Sequence, residues 1–267
     1  MKVTDIGYYM DGYLEQNLST AKSVVKKDWD MVFCVDGPER SGKSTIAQQM
    51  AYFCDSTFNL DRITFTPEEF KKCILSAEPY QSVIYDEAFT GLSSRAAMSQ
   101  VNRTLTSMMA EIGQKNLFVF VVMPTFFDLD KYVAIWRSRG LIHVYTGDNF
   151  ARGFFAFYNT DRKKELYING KKFYSYKLPK PNFTGRFTGA YVVDDAAYRK
   201  KKKGALTDRE KVKADKEIKQ KVEDSLFVRL AELQEKVPHT VKMKILGMPQ
   251  STYFWKLKRY EDRKEYE

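Results

Sequence analysis

The stretch Met31-Val32-Phe33-Cys34-Val35-Asp36-Gly37-Pro38-Glu39-Arg40-Ser41-Gly42-Lys43-Ser44-Thr45 decides how this chain is read. Met31–Val35 is an apolar run of the length of a buried strand, and from Lys43 to Phe53 the apolar residues fall at helical spacing. Between them, Gly37 to Thr45 matches GxxxxGK[ST] in full, with the strand and the helix that this pattern needs on its two sides. Each residue type answers a chemical need. Glycines let backbone N–H groups curl around a phosphate, Lys43 brings a point charge to the β- and γ-phosphates of a nucleotide, and Ser44 offers a hydroxyl to Mg2+. The helix that starts at Lys43 turns the positive end of its dipole toward the same anion. Gly37, Pro38, Glu39, Arg40, Ser41, Gly42, Lys43, Ser44 and Thr45 are therefore the expected cofactor-binding residues, with ATP and Mg2+ as ligands.

Outward from this loop, short apolar runs alternate with helical segments as far as Tyr145, which predicts an α/β core with a mostly parallel sheet. The runs are Met31–Val35, Ile63–Thr66, Ser82–Tyr85, Leu117–Met123 and Leu141–Tyr145. The helical segments are Lys43–Phe53, Pro67–Ala77, Ser94–Ile112 and Leu129–Arg137. Thr66, Pro67 and Glu69 form the start signal of a capping box. From Gly153 the texture turns aromatic and β-branched, and Asn169-Gly170 between Leu166–Ile168 and Lys172–Tyr176 predicts a β-hairpin. The lysine run ending at Gly204 marks a boundary near residue 200. The expected organisation is residues 1–150 as the core, 151–198 as a β-rich extension and 199–267 as a basic linker helix with a small all-α domain.

A second motif sharpens the chemistry. Ser82-Val83-Ile84-Tyr85-Asp86-Glu87 is an apolar run ending in two acids. Asp86 at the strand tip can hold the water shell of Mg2+ with Ser44, and Glu87 beside it can polarise an attacking water as the catalytic base. Leu117–Met123 ends in Pro124-Thr125, which makes Thr125 the candidate γ-phosphate sensor ahead of Asn116 and Gln114. Among Arg95, Arg103, Arg137 and Arg139, the last two rank first as a finger to a neighbouring subunit's ATP, because they follow the last core helix.

The net charge of +10 is unevenly placed: Arg199 to Glu267 carries 20 Lys and Arg against 12 Asp and Glu, or +8. Such a field favours a polyanion, nucleic acid first and an anionic membrane surface second. Within this stretch Pro238 and Gly247-Met248-Pro249 break the helical pattern into pieces that read as a helix-turn-helix. Gly247 suits the turn, and the helix after it offers Gln250, Ser251, Thr252 and Lys256 to a major groove of double-stranded DNA, with Lys258, Arg259 and Arg263 to phosphates. Trp255 and Leu257 are expected in the core of this module.

Composition sets the outer limits. An apolar share of 43% and an aromatic share of 15% exclude a disordered chain. No run approaches the roughly 18 apolar residues of a membrane span, and Met1–Gln16 lacks the apolar segment of a secretion signal, so a cytoplasmic protein is expected. The three cysteines, Cys34, Cys54 and Cys73, are too few and wrongly spaced for a disulfide framework or a zinc site and are expected as buried thiols.

The phosphate loop, the segment Tyr85-Asp86-Glu87-Ala88-Phe89 and the segment from Asn116 to Tyr132 resemble the zonula occludens toxin-like and FtsK/HerA-like ATPases of phages, archaeal viruses and plasmids. The resemblance covers about residues 30–190. It implies a RecA-like P-loop core, a homo-oligomeric ring, viral or mobile-element partner proteins, and ATP-driven movement or packaging of DNA. By position, Lys43 and Ser44 fall on the nucleotide motif and Asp86 and Glu87 on the metal and base motif. The chain lacks the transmembrane segment of membrane-attached toxin-like members, and it has Pro124-Thr125 where pumps often carry glutamine. Val35-Asp36-Gly37 with Gly42-Lys43-Ser44-Thr45 is also similar to nucleoside-monophosphate kinases. An ATP-controlled DNA switch without translocation and a nucleotide kinase thus stand beside the motor.

Overall fold

A computed structural model describes residues 7–86, 95–232 and 237–264, which fall into two compact units, Met1–Lys202 and Lys203–Glu267. The first is an α/β unit built on a seven-stranded sheet. Its strands are β1 Met31–Asp36, β2 Ile63–Thr64, β3 Ser82–Tyr85, β4 Phe118–Val122, β5 Ser138–Tyr145, β6 Phe154–Asn159 and β7 Phe183–Arg186. They lie in the order β2-β3-β4-β1-β5-β6-β7, parallel from β2 through β5 and antiparallel at β5–β6 and β6–β7.

The central strands are apolar on both faces, as a sheet covered by helices on two sides requires. One core takes Val32 and Cys34 of β1, Val83 and Tyr85 of β3 and Val119 and Val121 of β4. It packs them against α3 (Pro67–Ser76) through Phe70 and Ile74, and against α4 (Arg95–Gln114) through Leu105, Met109 and Ile112. The alternate residues of β1 and β4 point the other way, where Phe33 stacks on Phe120 with centroids 5.6 Å apart. Helices α1 (Gly12–Val25) and α2 (Lys43–Cys54) pack on each other, and α2 also packs on β1, β3 and β4. At the start of α3 the Thr66 hydroxyl accepts the Glu69 N–H at 3.1 Å, while the Glu69 carboxylate accepts the Phe65 N–H at 2.8 Å.

Two expected elements are corrected. The hairpin around Asn169-Gly170 is instead helix α5, Thr160–Gly170, started by the Asn159 side chain accepting the Arg162 N–H. Its inner face is Lys163, Leu166, Tyr167 and Gly170, a helical repeat in which a lysine fills an apolar position. Lys163 is buried there because Nζ donates to the carbonyls of Ala134 and Ile135, at 2.7 and 3.0 Å. Leu129–Arg137 is not one α-helix: a 3₁₀ turn at Phe126–Asp128 precedes a wide π-type turn at Tyr132–Arg137, which closes with the Ser138 N–H on the Val133 carbonyl. The Ala134 carbonyl is shared, accepting the Ser138 hydroxyl at 2.9 Å as well.

The second unit joins the end of α6 (Asp195–Glu232) to α7 (His239–Leu246) and α8 (Gln250–Lys264). Phe227, Ala231, Tyr253 and Leu257 form its core. Gly247, at φ 60°, ends α7, and its N–H and that of Met248 cap the helix on Lys244 and Met243. Trp255 is not in this core: it is 57% exposed, with the Arg259 guanidinium over its ring, because Tyr253 and Leu257 hold the inner face of α8.

Candidate active site

The turn from β1 into α2 has the backbone that its glycines permit. Gly37 and Gly42 have φ of 138° and 103°, a region closed to most side chains. A Cβ on Gly37 would sit 2.0 Å from the Val144 carbonyl oxygen of β5, and one on Gly42 would sit 2.9 Å from the ring of Phe187. Pro38, Glu39 and Arg40 are exposed on the turn, whereas Ser41 and Thr45 are buried. The N-terminus of α2 opens onto the loop with no side-chain cap.

Lys43 folds back over this turn, donating to the carbonyls of Gly37 and Pro38 at 2.8 and 2.6 Å. Burial holds its pKa below the ordinary lysine value, against the opposing pull of Asp36 and Asp86. The Ser44 hydroxyl donates to Asp86 Oδ1 at 3.1 Å, so the first turn of α2 meets the residue that follows β3. Asp86 is fully buried just past β3 and accepts a second bond, 2.5 Å from the Tyr198 hydroxyl, at Oδ2. Burial, with the Asp86 charge beside it, pushes the Tyr198 pKa well up, which keeps this phenol a donor. Tyr198 stands in the first turn of α6, far from the motif in sequence, and no local pattern marks it.

A second polar cluster lies at the other side of the loop. Asp36, fully buried at the end of β1, pairs through Oδ1 with His143 Nδ1 at 2.9 Å. Its Oδ2 accepts the Phe126 N–H at 2.8 Å and the Tyr176 hydroxyl. The Tyr176 ring stacks on His143, with centroids 3.8 Å apart. Thr125, at the tip of β4, is in this cluster, with Oγ1 3.2 Å from the Tyr176 hydroxyl and accepting the Phe127 N–H. Its hydroxyl is thus engaged by Tyr176 and Phe127. His143, Tyr176, Phe187 and Tyr198 were not legible as site residues, since each reaches the loop only through tertiary packing, and Asp36, though next to Gly37 in the chain, takes its role from His143 and Tyr176.

Other expected residues stand elsewhere. Asn116 bonds Asp28 and the Trp29 carbonyl, and Gln114 ends α4, both at the opposite end of the strands. Arg137 pairs with Asp30 at 2.7 Å and donates to the Met109 carbonyl, and Arg139 lies over the Trp29 ring at 5.0 Å. They flank the start of β1 and β5, six residues or roughly 20 Å of strand from the phosphate loop. Glu87 lies outside the described residues, as do Ala88 and Phe89; of Arg95, only the backbone is described. In the second unit, Gln250, Ser251, Thr252, Lys258 and Arg259 are exposed on α8, while Lys256 pairs with Asp224 at 2.6 Å. Cys34 and Cys54 are buried, and burial pushes the Cys34 thiol up to about 12 and the half-buried Cys73 thiol up to about 11, so none is a ready nucleophile.

The residues present fit a magnesium nucleotide. The Ser41 hydroxyl is buried in the loop with no hydrogen-bond partner, and the Lys43 ammonium is met by neutral carbonyls, which an anion would improve on. Ser44 and Asp86 supply hard oxygen donors. Among the described residues no group of three or more His, Cys, Asp or Glu could hold a metal, so a divalent ion at Ser44 and Asp86 would share its remaining ligands with phosphate and water. Among these residues, too, no helix is long and apolar enough to cross a membrane. Neither the family models nor the curated proteins contain a match to this chain.

Proposed function

We propose that this chain is a P-loop ATPase with a RecA-like core that couples ATP hydrolysis to work on DNA, packaging or translocation of viral or mobile-element DNA first. The observation that carries it is the 3.1 Å contact of Ser44 with Asp86, which joins the end of the phosphate loop to the tip of β3. The strand order supports the RecA-like reading over a nucleotide kinase. Because β4 lies between β1 and β3, Thr125 leaves the sheet between loop and acid, and Asp86 stands two strand spacings, about 10 Å, from the loop strand.

In this reading backbone N–H groups from Gly37 to Thr45 hold the β- and γ-phosphates, and Lys43 leaves its two carbonyls to neutralise them. Mg2+ held through Ser44 and Asp86 would withdraw charge from the β- and γ-oxygens. Glu87, next in the chain after Asp86, takes a proton from the attacking water. Arg137 or Arg139, distant from their own chain's loop, would serve only the ATP of a neighbouring subunit in a ring. In this reading duplex DNA is held by the second unit, with α7, the turn at Gly247 and α8 acting as a helix-turn-helix; exposure of Gln250, Ser251, Thr252, Lys258 and Arg259 on α8 supports it.

A second reading, an ATP-controlled DNA switch without translocation, is favoured by one contact. Tyr198 ties the start of α6 to the carboxylate that would hold the metal, so that helix would feel the occupancy of the site. The test is ATP turnover by the full chain with and without duplex DNA, for wild type and Glu87→Gln. Wild type hydrolyses ATP faster with DNA, while Glu87→Gln binds ATP and turns over about 10²–10⁴-fold more slowly. Displacement of a protein roadblock from the DNA separates motor from switch. Failure of wild type to bind or cleave ATP ends both readings.

A further inference from the structure

The end of the sheet that carries the phosphate loop also carries two aromatic side chains held outward by built turns. Phe173 is 74% exposed, and Phe150 is 87% exposed. Phe150 follows β5 in the turn from Gly147 to Ala151, which the Gly147 N–H closes on the Ala151 carbonyl at 2.8 Å. Phe173 follows α5 in a loop that the N–H groups of Phe173 and Ser175 close on the Gly170 carbonyl, each at 3.1 Å. The second loop is pinned on either side of the phenylalanine. Gly170 lies against Phe127, Tyr174 packs edge-on against Phe127 and donates to Asp128, and Tyr176 reaches Asp36.

The outward direction costs backbone strain in both turns, since Asn149, Phe150 and Tyr174 all have φ between 49° and 57°. Scattered exposed apolar residues are ordinary, but two phenylalanines fixed outward at one end of a sheet are not. The charge beside them is mainly positive, with Asp128 and Asp148 as the nearby acids. Residues 171–180 hold Lys171, Lys172, Lys177 and Lys180 and no acid, and Arg152 is exposed two residues past Phe150. The one carboxylate on the first turn is Asp148.

We infer that this face binds a single-stranded nucleic acid, with Phe150 and Phe173 stacking on bases and Lys171, Lys172 and Arg152 neutralising phosphates. Rigid aromatic platforms set among cations fit that polymer, because every base has a π-face and every linkage a negative charge. A duplex keeps its base faces covered and offers such platforms nothing. The surface shares no residue with α8 and involves none assigned to ATP or to duplex DNA.

The test uses the full chain without nucleotide, so its outcome does not depend on the ATP reading. Fluorescein-labelled oligodeoxythymidylate is titrated at several salt concentrations into wild type, Phe150→Ala, Phe173→Ala and Lys171→Glu/Lys172→Glu. Each Phe variant weakens binding roughly 5- to 150-fold, and the double Lys variant lowers the salt slope by about 1.4. A Phe173→Trp chain reports contact directly, by quenching of its indole emission beyond that of wild type. Both phenylalanines are exposed, so their substitution leaves the fold intact, as an unchanged circular dichroism melt will confirm. Unchanged affinity in both Phe variants overturns the inference. So does equal dependence of a matched duplex on Phe150 and Phe173, or quenching of the Phe173→Trp chain by phosphatidylserine vesicles and not by the oligonucleotide.

Discussion

Gly37→Ala is the sharpest probe of the phosphate loop. In the folded chain the added Cβ would lie 2.0 Å from the oxygen and 2.9 Å from the carbon of the Val144 carbonyl, both backbone atoms of β5. No rotamer relieves that contact, so β1 and β5 must move apart where Asp36 is paired with His143. The φ of 138° adds about 1–3 kcal/mol for a residue with a Cβ, and forced overpacking adds about as much again. Together they put the loss at about 2–6 kcal/mol, read as a shift of the urea midpoint of the first unit by circular dichroism. Gly12→Ala is the control: nothing lies within 4 Å of its Cβ, and its cost stays within about 0.5 kcal/mol. Even at temperatures where Gly37→Ala stays folded, its loop is displaced and binding of a fluorescent ATP analogue is lost. A Gly37→Ala chain with both the midpoint and the ATP affinity of wild type would refute the loop geometry and the function drawn from it.

Tyr198→Phe removes one donor from Asp86 and leaves the packing of the ring; the Mg2+ concentration for half-maximal turnover rises roughly 10–100-fold with little change at saturation, and an unaltered Mg2+ dependence would show Tyr198 to be structural only. Lys163 has its pKa lowered to about 8 from 10.5, chiefly by burial, so between these values the unfolded chain holds more protons and this group's contribution to stability rises with pH. The rise is about 3 kcal/mol over the window, and it is absent from Lys163→Met; a wild-type-minus-variant difference that stays flat from pH 8 to 10.5 would show that burial does not lower the pKa of this lysine. Lys258→Ala and Arg259→Ala weaken duplex binding alike for all sequences and each lower the salt slope by about 1, and sequence-selective losses measured by anisotropy would place them at base edges instead.

Local signals carried far in this chain, where the elements obey them. The five parallel strands fall on the apolar runs to within a few residues, and α3 starts at the Thr66 and Glu69 signal, because strand burial and capping are decided within a few residues of the chain. Thr160–Gly170 departs from its local signal. Asn-Gly is a strong turn signal when taken alone, and Lys163 conceals the helical repeat by occupying an inward position. Only the carbonyls of Ala134 and Ile135, some 28 residues away in sequence, make a lysine acceptable there. Trp255 shows the converse, since its size suggests a core residue but the inward positions of α8 are already filled by Tyr253 and Leu257.

The amino-acid order by itself determined that a glycine-bearing turn follows an apolar strand and opens a helix, because glycine, lysine and serine at that spacing act over nine adjacent residues. The tertiary structure alone decided that β4 comes between β1 and β3, that Asp86 meets Ser44, and that Tyr198, Tyr176, His143 and Phe187 close around the loop. Those outcomes depend on which strands pair and which faces are buried, and such choices are settled by packing between residues 42 or more positions apart, which no local periodicity records.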